Sequence, residues 1–361
     1  MHSKHKLLVS NSKRMKGVQP KSVHLVVTSP PYPMIVMWDK IFSTQNKRIK
    51  AFLSKNDGTK AFEWMHYELD KVWEEIDRVL VDDGIACINI GDATRTINGN
   101  FQLFSSHSRI ILKFIDLGFI NLPNIIWRKP TNSPTKFMGS GMYAPGAYVT
   151  LDHEYILIFR KGGKRLFKSQ NDKINRRESS YFWEERNVWF SDVWTDLRGV
   201  TQKAWKDNIR ERTAAYPFEL AYRLINMFSV KGEMILDPYL GTGTTTLAAI
   251  ASNRDSIGID IDKSFIDYAF DHISNVKKAS INNYIQNRIL KHKDFVKNRQ
   301  KNYGKDALKY INKYHGYPVM TKQEVDGKFD FIDAIIPNTN DNSLSVEYSD
   351  DDSYSAKNLF T

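Results

Sequence analysis

The first strongly apolar run along the chain, HLVVTS (24–29), stops at Pro30-Pro31. It reads as a strand that must leave its sheet there, because two consecutive prolines cannot continue a ladder. Residues 40–60 are polar, carry Gly58 and predict a loop or a short helix. From Phe62 to Leu80, the positions Phe62, Met65, Leu69, Val72, Trp73, Ile76, Val79 and Leu80 recur at helical steps. Asp82-Asp83-Gly84 closes that helix, and IACINI (85–90) predicts a buried strand ended by Gly91-Asp92. A second helix is predicted over 101–117. NIIW (124–127) and HEYILIF (153–159) predict strands separated by a loop rich in Pro, Gly and Ser. Residues 160–212 break the rhythm, and the alternation in VWFSDVW predicts a strand there with Trp189 and Trp194 in the core. The α/β pattern resumes with helices over 217–230, 243–252 and 263–276 and strands over 233–237 and 256–260. Strands alternating with helices predict an α/β core with a largely parallel sheet.

Composition narrows the picture. Hydrophobic residues make up 41% of the 361 positions, too many for a disordered chain. No apolar run approaches the ~20 residues that cross a bilayer. The N-terminus, MHSKHKLLVSNSKRMKG, is basic without the apolar segment of a secretory signal, so a soluble, cytoplasmic protein is expected. A single cysteine, Cys87, excludes an internal disulfide framework, and the nine histidines show no metal-ligand spacing, so no metal is expected. The excess of 52 Lys and Arg over 41 Asp and Glu calls for a polyanionic partner. That excess concentrates in 160–212, where four tryptophans are interleaved, and in 277–305, where Asp294 is the sole acid. Both segments are candidates for contacting phosphates, or else are a small subdomain core and a solvated helix face. From about Asn338 the chain turns acidic and poor in apolar residues, which predicts a disordered tail.

Two motifs carry chemistry. In MILDPYLGTGTTTLAA (234–249) a strand ends in Asp237, a turn follows through Gly241 and Gly243, and a helix starts near Thr244. Glycines there let backbone approach a ligand closely. The next strand, SIGIDID, ends in Asp260, placed to hold a ribose diol. Thr246 stands where a dinucleotide fingerprint has its third glycine, and Asp237 would repel a pyrophosphate. A cationic ligand with a ribose, such as S-adenosyl-L-methionine, suits the turn better. In TSPPY (28–32) a Ser hydroxyl and a stiffened Pro30 carbonyl can take the two hydrogens of a nucleobase amine. Such contacts draw the amine towards tetrahedral geometry and aim its lone pair outward. Tyr32 offers a flat face for an extruded base. Met34, Met37 and Trp38 either line that base pocket or fill the core beneath it.

TSPPY together with DPYLGTGTT resembles the motifs of the amino-directed DNA methyltransferases. The order, catalytic motif before cofactor motif, is similar to that of the circularly permuted beta group of restriction–modification enzymes. RVLVDDGIACINIGD (78–92), IIWRKPTNSP with HEYILIFRKG (125–134, 153–162) and AAYPFELAYRLI (214–225) are similar to further family elements. Thr213 and Ala214 stand near the position of a usual family His. The resemblance implies a Rossmann-like, S-adenosylmethionine-dependent sheet, circularly permuted, with an inserted target recognition region. It divides the chain into a catalytic half (1–160), a target recognition region (161–212), a cofactor-binding half (213–280), a basic extension (281–337) and an acidic tail (338–361). It implies catalytic roles for Ser29, Pro30, Pro31 and Tyr32. It implies a cofactor set of Thr28, Tyr216, Pro217, Asp237, Pro238, Gly241, Gly243, Thr244 and Asp260.

The substrate so implied is double-stranded DNA in a prokaryotic cell or from a phage gene. Whether a cognate restriction endonuclease acts separately on the same site stays open, as does the oligomeric state. Ser29 as first residue of the motif accompanies N4-cytosine chemistry in this family more often than N6-adenine chemistry, where Asp is commoner. Ring-carbon methylation needs a thiolate, and Cys87 sits inside an apolar strand as a small hydrophobe. The alternatives are adenine N6, an RNA or protein-amide substrate, and a non-catalytic nucleic-acid-binding protein on the same fold.

Overall fold

The computed structural model describes residues 1–129, 138–199 and 216–349. Its centre is a ten-stranded sheet. In chain order the strands are β1 His2–Val9, β2 Val23–Thr28, β3 Leu80–Ile90, β4 Phe119–Arg128 and β5 His153–Lys161. The remaining five are β6 Val193–Trp194, β7 Met234–Asp237, β8 Asp255–Asp260, β9 Phe331–Asn338 and β10 Ser343–Ser349. They lie side by side as β6-β4-β5-β3-β2-β7-β8-β1-β10-β9. The middle, β3-β2-β7-β8-β1, is parallel throughout. Antiparallel pairs flank it, β3-β5-β4 on one side and β1-β10-β9 on the other.

Helices cover both faces, so β2 and β7 are largely apolar on both sides. The helices are α1 Asp39–Gln45, α2 Lys47–Ser54, α3 Gly58–Val79, α4 Ser106–Asp116 and α5 Gln170–Glu178. They continue as α6 Trp183–Trp189, α7 Phe218–Phe228, α8 Thr244–Ala251, α9 Lys263–Ser274 and α10 Lys278–Tyr303. On β2, Val26 faces the core made with α3 and α4, through Met65, Val72, Trp73, Ile110 and Phe114. Leu25 and Val27 face the opposite core, made with α7, α8 and α10 through Leu224, Ile250 and Ile285. Cys87 on β3 belongs to that second core. The sheet is the doubly wound, Rossmann-like α/β arrangement expected. Neighbours β2 and β7 are far apart in the sequence, and the crevice beyond their carboxyl ends is where such sheets bind ligands.

Residues 40–60, expected as a loop or a short helix, hold two short helices, α1 and α2; Asn46 begins α2 by accepting from the Arg48 N–H at 3.1 Å. Two expectations are corrected. VWFSDVW is not a strand: its first half ends α6 and only Val193–Trp194 pair with β4. The helix is favoured because Glu185 accepts from the Phe182 N–H at 3.1 Å and Glu324 from the Trp183 N–H at 2.9 Å. Trp189 and Trp194 are nevertheless both buried. The acidic tail is not disordered up to Ser349, since β10 pairs with both β1 and β9. Its alternate residues Leu344, Val346 and Tyr348 are buried.

The basic extension forms the helix α10 with an exposed charged face, while its other face is built into the core. Ile281, Ile285, Ile289 and Val296 of α10 are buried, at the spacing of one helix face. Among the strands that escaped prediction is the N-terminal β1. Its inward positions include Ser3 and His5, buried through mutual hydrogen bonding and through bonds to Tyr348 and Ser256. Expectations for Trp205, Thr213, Ala214, Pro130–Pro134 and the end of the tail, 350–361, fall outside the described residues.

Candidate active site and cofactor cavity

Strands β2 and β7 end side by side, and their last residues are joined. Thr28 Oγ1 donates to Asp237 Oδ1 at 2.6 Å. Asp237 is almost fully buried, and burial raises its carboxyl above the ordinary range. Donors offset this from every side. The Tyr239 N–H reaches Oδ1 at 3.0 Å, while Thr245 Oγ1 and the Tyr216 hydroxyl reach Oδ2 at 2.5 and 3.2 Å. The TSPPY turn and the glycine turn are thereby fixed to one another before any ligand arrives.

Above this joint lies a cavity of about 380 Å³, within the size range of small-molecule sites. Ser29, Pro30, Pro31, Tyr216, Asp237, Pro238, Gly241, Thr244 and Asp260 line it. Of the expected residues, Thr28, Tyr32, Pro217 and Gly243 do not. Thr28 sits beneath the floor, and Pro217 precedes α7 at its N-cap. Gly243 has φ +84° and lies against Ala269 and Ile273, where a side chain would collide. Met37 and Trp38 line the cavity, whereas Met34 is buried against Met65.

Sequence reasoning missed Asn11, Ser12 and Lys13, which follow β1 and form another wall. Ser12 Oγ donates to the Pro238 carbonyl at 2.5 Å. Their signal was hidden with that of β1.

The donor set fits S-adenosyl-L-methionine. Asp260 accepts from the Gly241 and Asp262 N–H groups at 3.1 and 2.9 Å. Burial pushes its carboxyl up to about 6. A carboxylate in that state gains from further donors, which a ribose diol supplies. Leu240, Ile261 and Phe265 give apolar wall for a flat base. Gly241, at φ +52°, turns the backbone along the cavity with nothing projecting into it.

The catalytic turn continues into a buried polar cluster. Ser29 Oγ lies 3.0 Å from the Tyr32 hydroxyl, which donates to Glu154 Oε2 at 2.9 Å. Asn89 Nδ2 donates to the Tyr32 oxygen at 2.8 Å and to Glu154 Oε2 at 2.7 Å. Lys129 Nζ pairs with Glu154 Oε1. Tyr32 itself is 5% exposed, so the open stacking face expected of its ring is not displayed. Asn89 and Glu154 went unrecognised, although Asn89 is a polar residue inside the apolar run IACINI. Cys87 is buried, and burial pushes its thiol far up, so it supplies no thiolate. Among the described residues no cluster of His, Cys, Asp or Glu is arranged to hold a metal, and no helix is long and apolar enough to cross a membrane.

Residues 23–271 match the model of the N6/N4 DNA methylase family. The Type II methyltransferase M.MthZI of Methanothermobacter thermautotrophicus is 51% identical over 327 residues, 90% of this chain and 90% of that one. The Type II methyltransferase M.MjaI of Methanocaldococcus jannaschii is 51% identical over 271 residues, 72% of this chain and 88% of its own. A solved protein of Thermus thermophilus, named as a DNA modification methylase and complexed with S-adenosyl-L-methionine, is 31% identical with a TM-score of 0.59. That similarity covers 75% of this chain and 93% of the other.

Proposed function

The chain belongs to the N6/N4 DNA methylase family, and from that premise we propose that it methylates the N4 amine of cytosine at a specific site in duplex DNA. Its cofactor is S-adenosyl-L-methionine, whose sulfonium supplies an electrophilic methyl group when bound. The observation that carries the reading is the Thr28–Asp237 bond, which sets Ser29 and Pro30 on the wall of the same cavity as Gly241 and Asp260. Nucleophile and electrophile then share one crevice.

The chain's own groups do the orienting. Ser29 Oγ and the Pro30 carbonyl accept the two amine hydrogens, which draws the nitrogen lone pair out of ring conjugation. Asp260 and the glycine turn hold the cofactor, and Trp38 and Met37 line the same cavity. The amine sheds its proton after the methyl has moved, so no general base is needed before attack.

Cytosine is favoured because Ser29 presents a neutral hydroxyl, the residue that accompanies N4 chemistry more often than N6 chemistry in enzymes this chain resembles. A base inside a duplex cannot reach the cavity, so the target nucleotide is extruded first. The two relatives' designation as Type II methyltransferases supports a role in a restriction–modification system, protecting host DNA. Transfer of a labelled methyl group to unmethylated duplex DNA tests this. Ser29→Ala is expected to lower turnover ~10²-fold through lost orientation while cofactor affinity is retained. Unchanged turnover would remove Ser29 from the chemistry.

A further inference from the structure

We propose that Glu154 is a positioning residue that sets the direction of the hydrogen bonds behind the catalytic turn, so that Ser29 meets the substrate amine as an acceptor. The inference rests on the amine-methylation reading and holds for either base.

Proton counting carries it. An ionised carboxylate only accepts hydrogen bonds, and Glu154 takes three donors: Lys129 at Oε1, then Asn89 and Tyr32 at Oε2. Tyr32 owns one phenolic proton, and it is committed to Glu154 at 2.9 Å. Burial and the neighbouring Glu154 both raise that phenol well above its ordinary value, which keeps the proton in place. The two hydrogens of Asn89 Nδ2 are likewise committed, to Glu154 at 2.7 Å and to the Tyr32 oxygen at 2.8 Å. The same nitrogen approaches Ser29 Oγ only at 3.4 Å, and there too it is the donor.

Ser29 Oγ, 3.0 Å from the Tyr32 oxygen, therefore has no donor available from Tyr32 and must itself donate there. Its single proton points into the protein, and its lone pairs are left for the amine. Were the chain reversed, the Ser29 proton would face the amine and compete for the lone pair that attacks.

The packing protects this arrangement. A Cβ at Gly91 would stand 3.0 Å from Tyr32 Cε2 and 3.3 Å from Glu154 Cγ, so glycine lets both side chains close up. Glu154 lies near the start of β5, at the edge of the sheet where β2 and β7 end, and its neighbour Tyr155 pairs with Ile90 of β3.

Glu154→Gln separates this role from a structural one, because glutamine keeps the shape but can donate to Tyr32 and release the phenolic proton towards Ser29. Single-turnover methyl transfer to a duplex oligonucleotide is measured beside calorimetric cofactor binding. Glu154→Gln and Tyr32→Phe are each expected to slow transfer by about 10- to 100-fold with cofactor affinity unchanged. The double variant is expected to be no slower than Tyr32→Phe alone, since both changes act through one hydroxyl. A wild-type rate in Glu154→Gln, or losses that multiply in the double variant, would overturn the proposal. If Glu154→Gln does not fold, Tyr32→Phe decides, and an unchanged rate there overturns it. A wild-type protein that transfers no methyl to DNA would instead sink the methylation reading, and this proposal with it.

Discussion

Thr28 and Asp237 lie 209 positions apart in the chain, yet the hydroxyl of one donates to the carboxylate of the other at 2.6 Å. This bond unites the two motifs, and it joins the last residue of β2 to the last residue of β7. Thr28→Val keeps the shape and deletes the donor, leaving a buried carboxylate one partner short. Denaturant unfolding should show a loss of about 1–3 kcal/mol, together with weaker cofactor binding. An unchanged midpoint would mean that the remaining donors to Asp237 suffice.

Cofactor binding should depend on pH through Asp260. Its carboxyl is raised to about 6 by burial. In the ligand-free protein this group contributes stability that is present below its unfolded value, about 3.9, and lost as pH climbs through about 6. Ligand hydroxyls and a sulfonium favour the ionised form, so affinity is expected to rise as pH rises through about 6. Calorimetry across that window checks this, and Asp260→Asn should flatten the profile and weaken binding by about 1–3 kcal/mol. A flat profile in the wild-type protein would contradict the placement of Asp260 on the ribose.

The basic face of α10 is expected to contribute to DNA affinity. Lys291, Lys297 and Lys301 are exposed, while Ile285 and Ile289 of the same helix are buried. Removing the helix would open the core, so charge reversal is the right perturbation. Lys291→Glu, Lys297→Glu and Lys301→Glu together should reduce the slope of log K against log salt by about one unit for each phosphate no longer neutralised. An unchanged slope with the fold intact would take α10 out of the DNA footprint.

Much of this fold was readable because apolar periodicity and catalytic punctuation agree in the middle strands. Pro30-Pro31 follows the end of β2, and Pro238 follows the end of β7 before the turn through Gly241 and Gly243, each where the pattern stops. Part of what escaped was structure whose burial is polar. β1 turns Ser3 and His5 inward, and their pairing with Tyr348 and Ser256 is invisible along the chain. β10 shows a clean alternation of Leu344, Val346 and Tyr348, which the acidity of its surroundings obscured. At the site, Ser29 and Asp260 declared themselves through motif spacing. Glu154 and Asn89 did not, because their importance comes from a cross-strand meeting behind Tyr32 that only the register of β3 against β5 creates.

The central claim, methyl transfer to the N4 amine of cytosine, is tested most directly by the product. Duplex DNA is incubated with the protein and S-adenosyl-L-methionine, digested to nucleosides and separated by mass spectrometry. The expected product is N4-methylcytosine at one recurring sequence, with no 5-methylcytosine because Cys87 is buried and protonated. N6-methyladenine alone would contradict the choice of base, and 5-methylcytosine would contradict the amine chemistry itself.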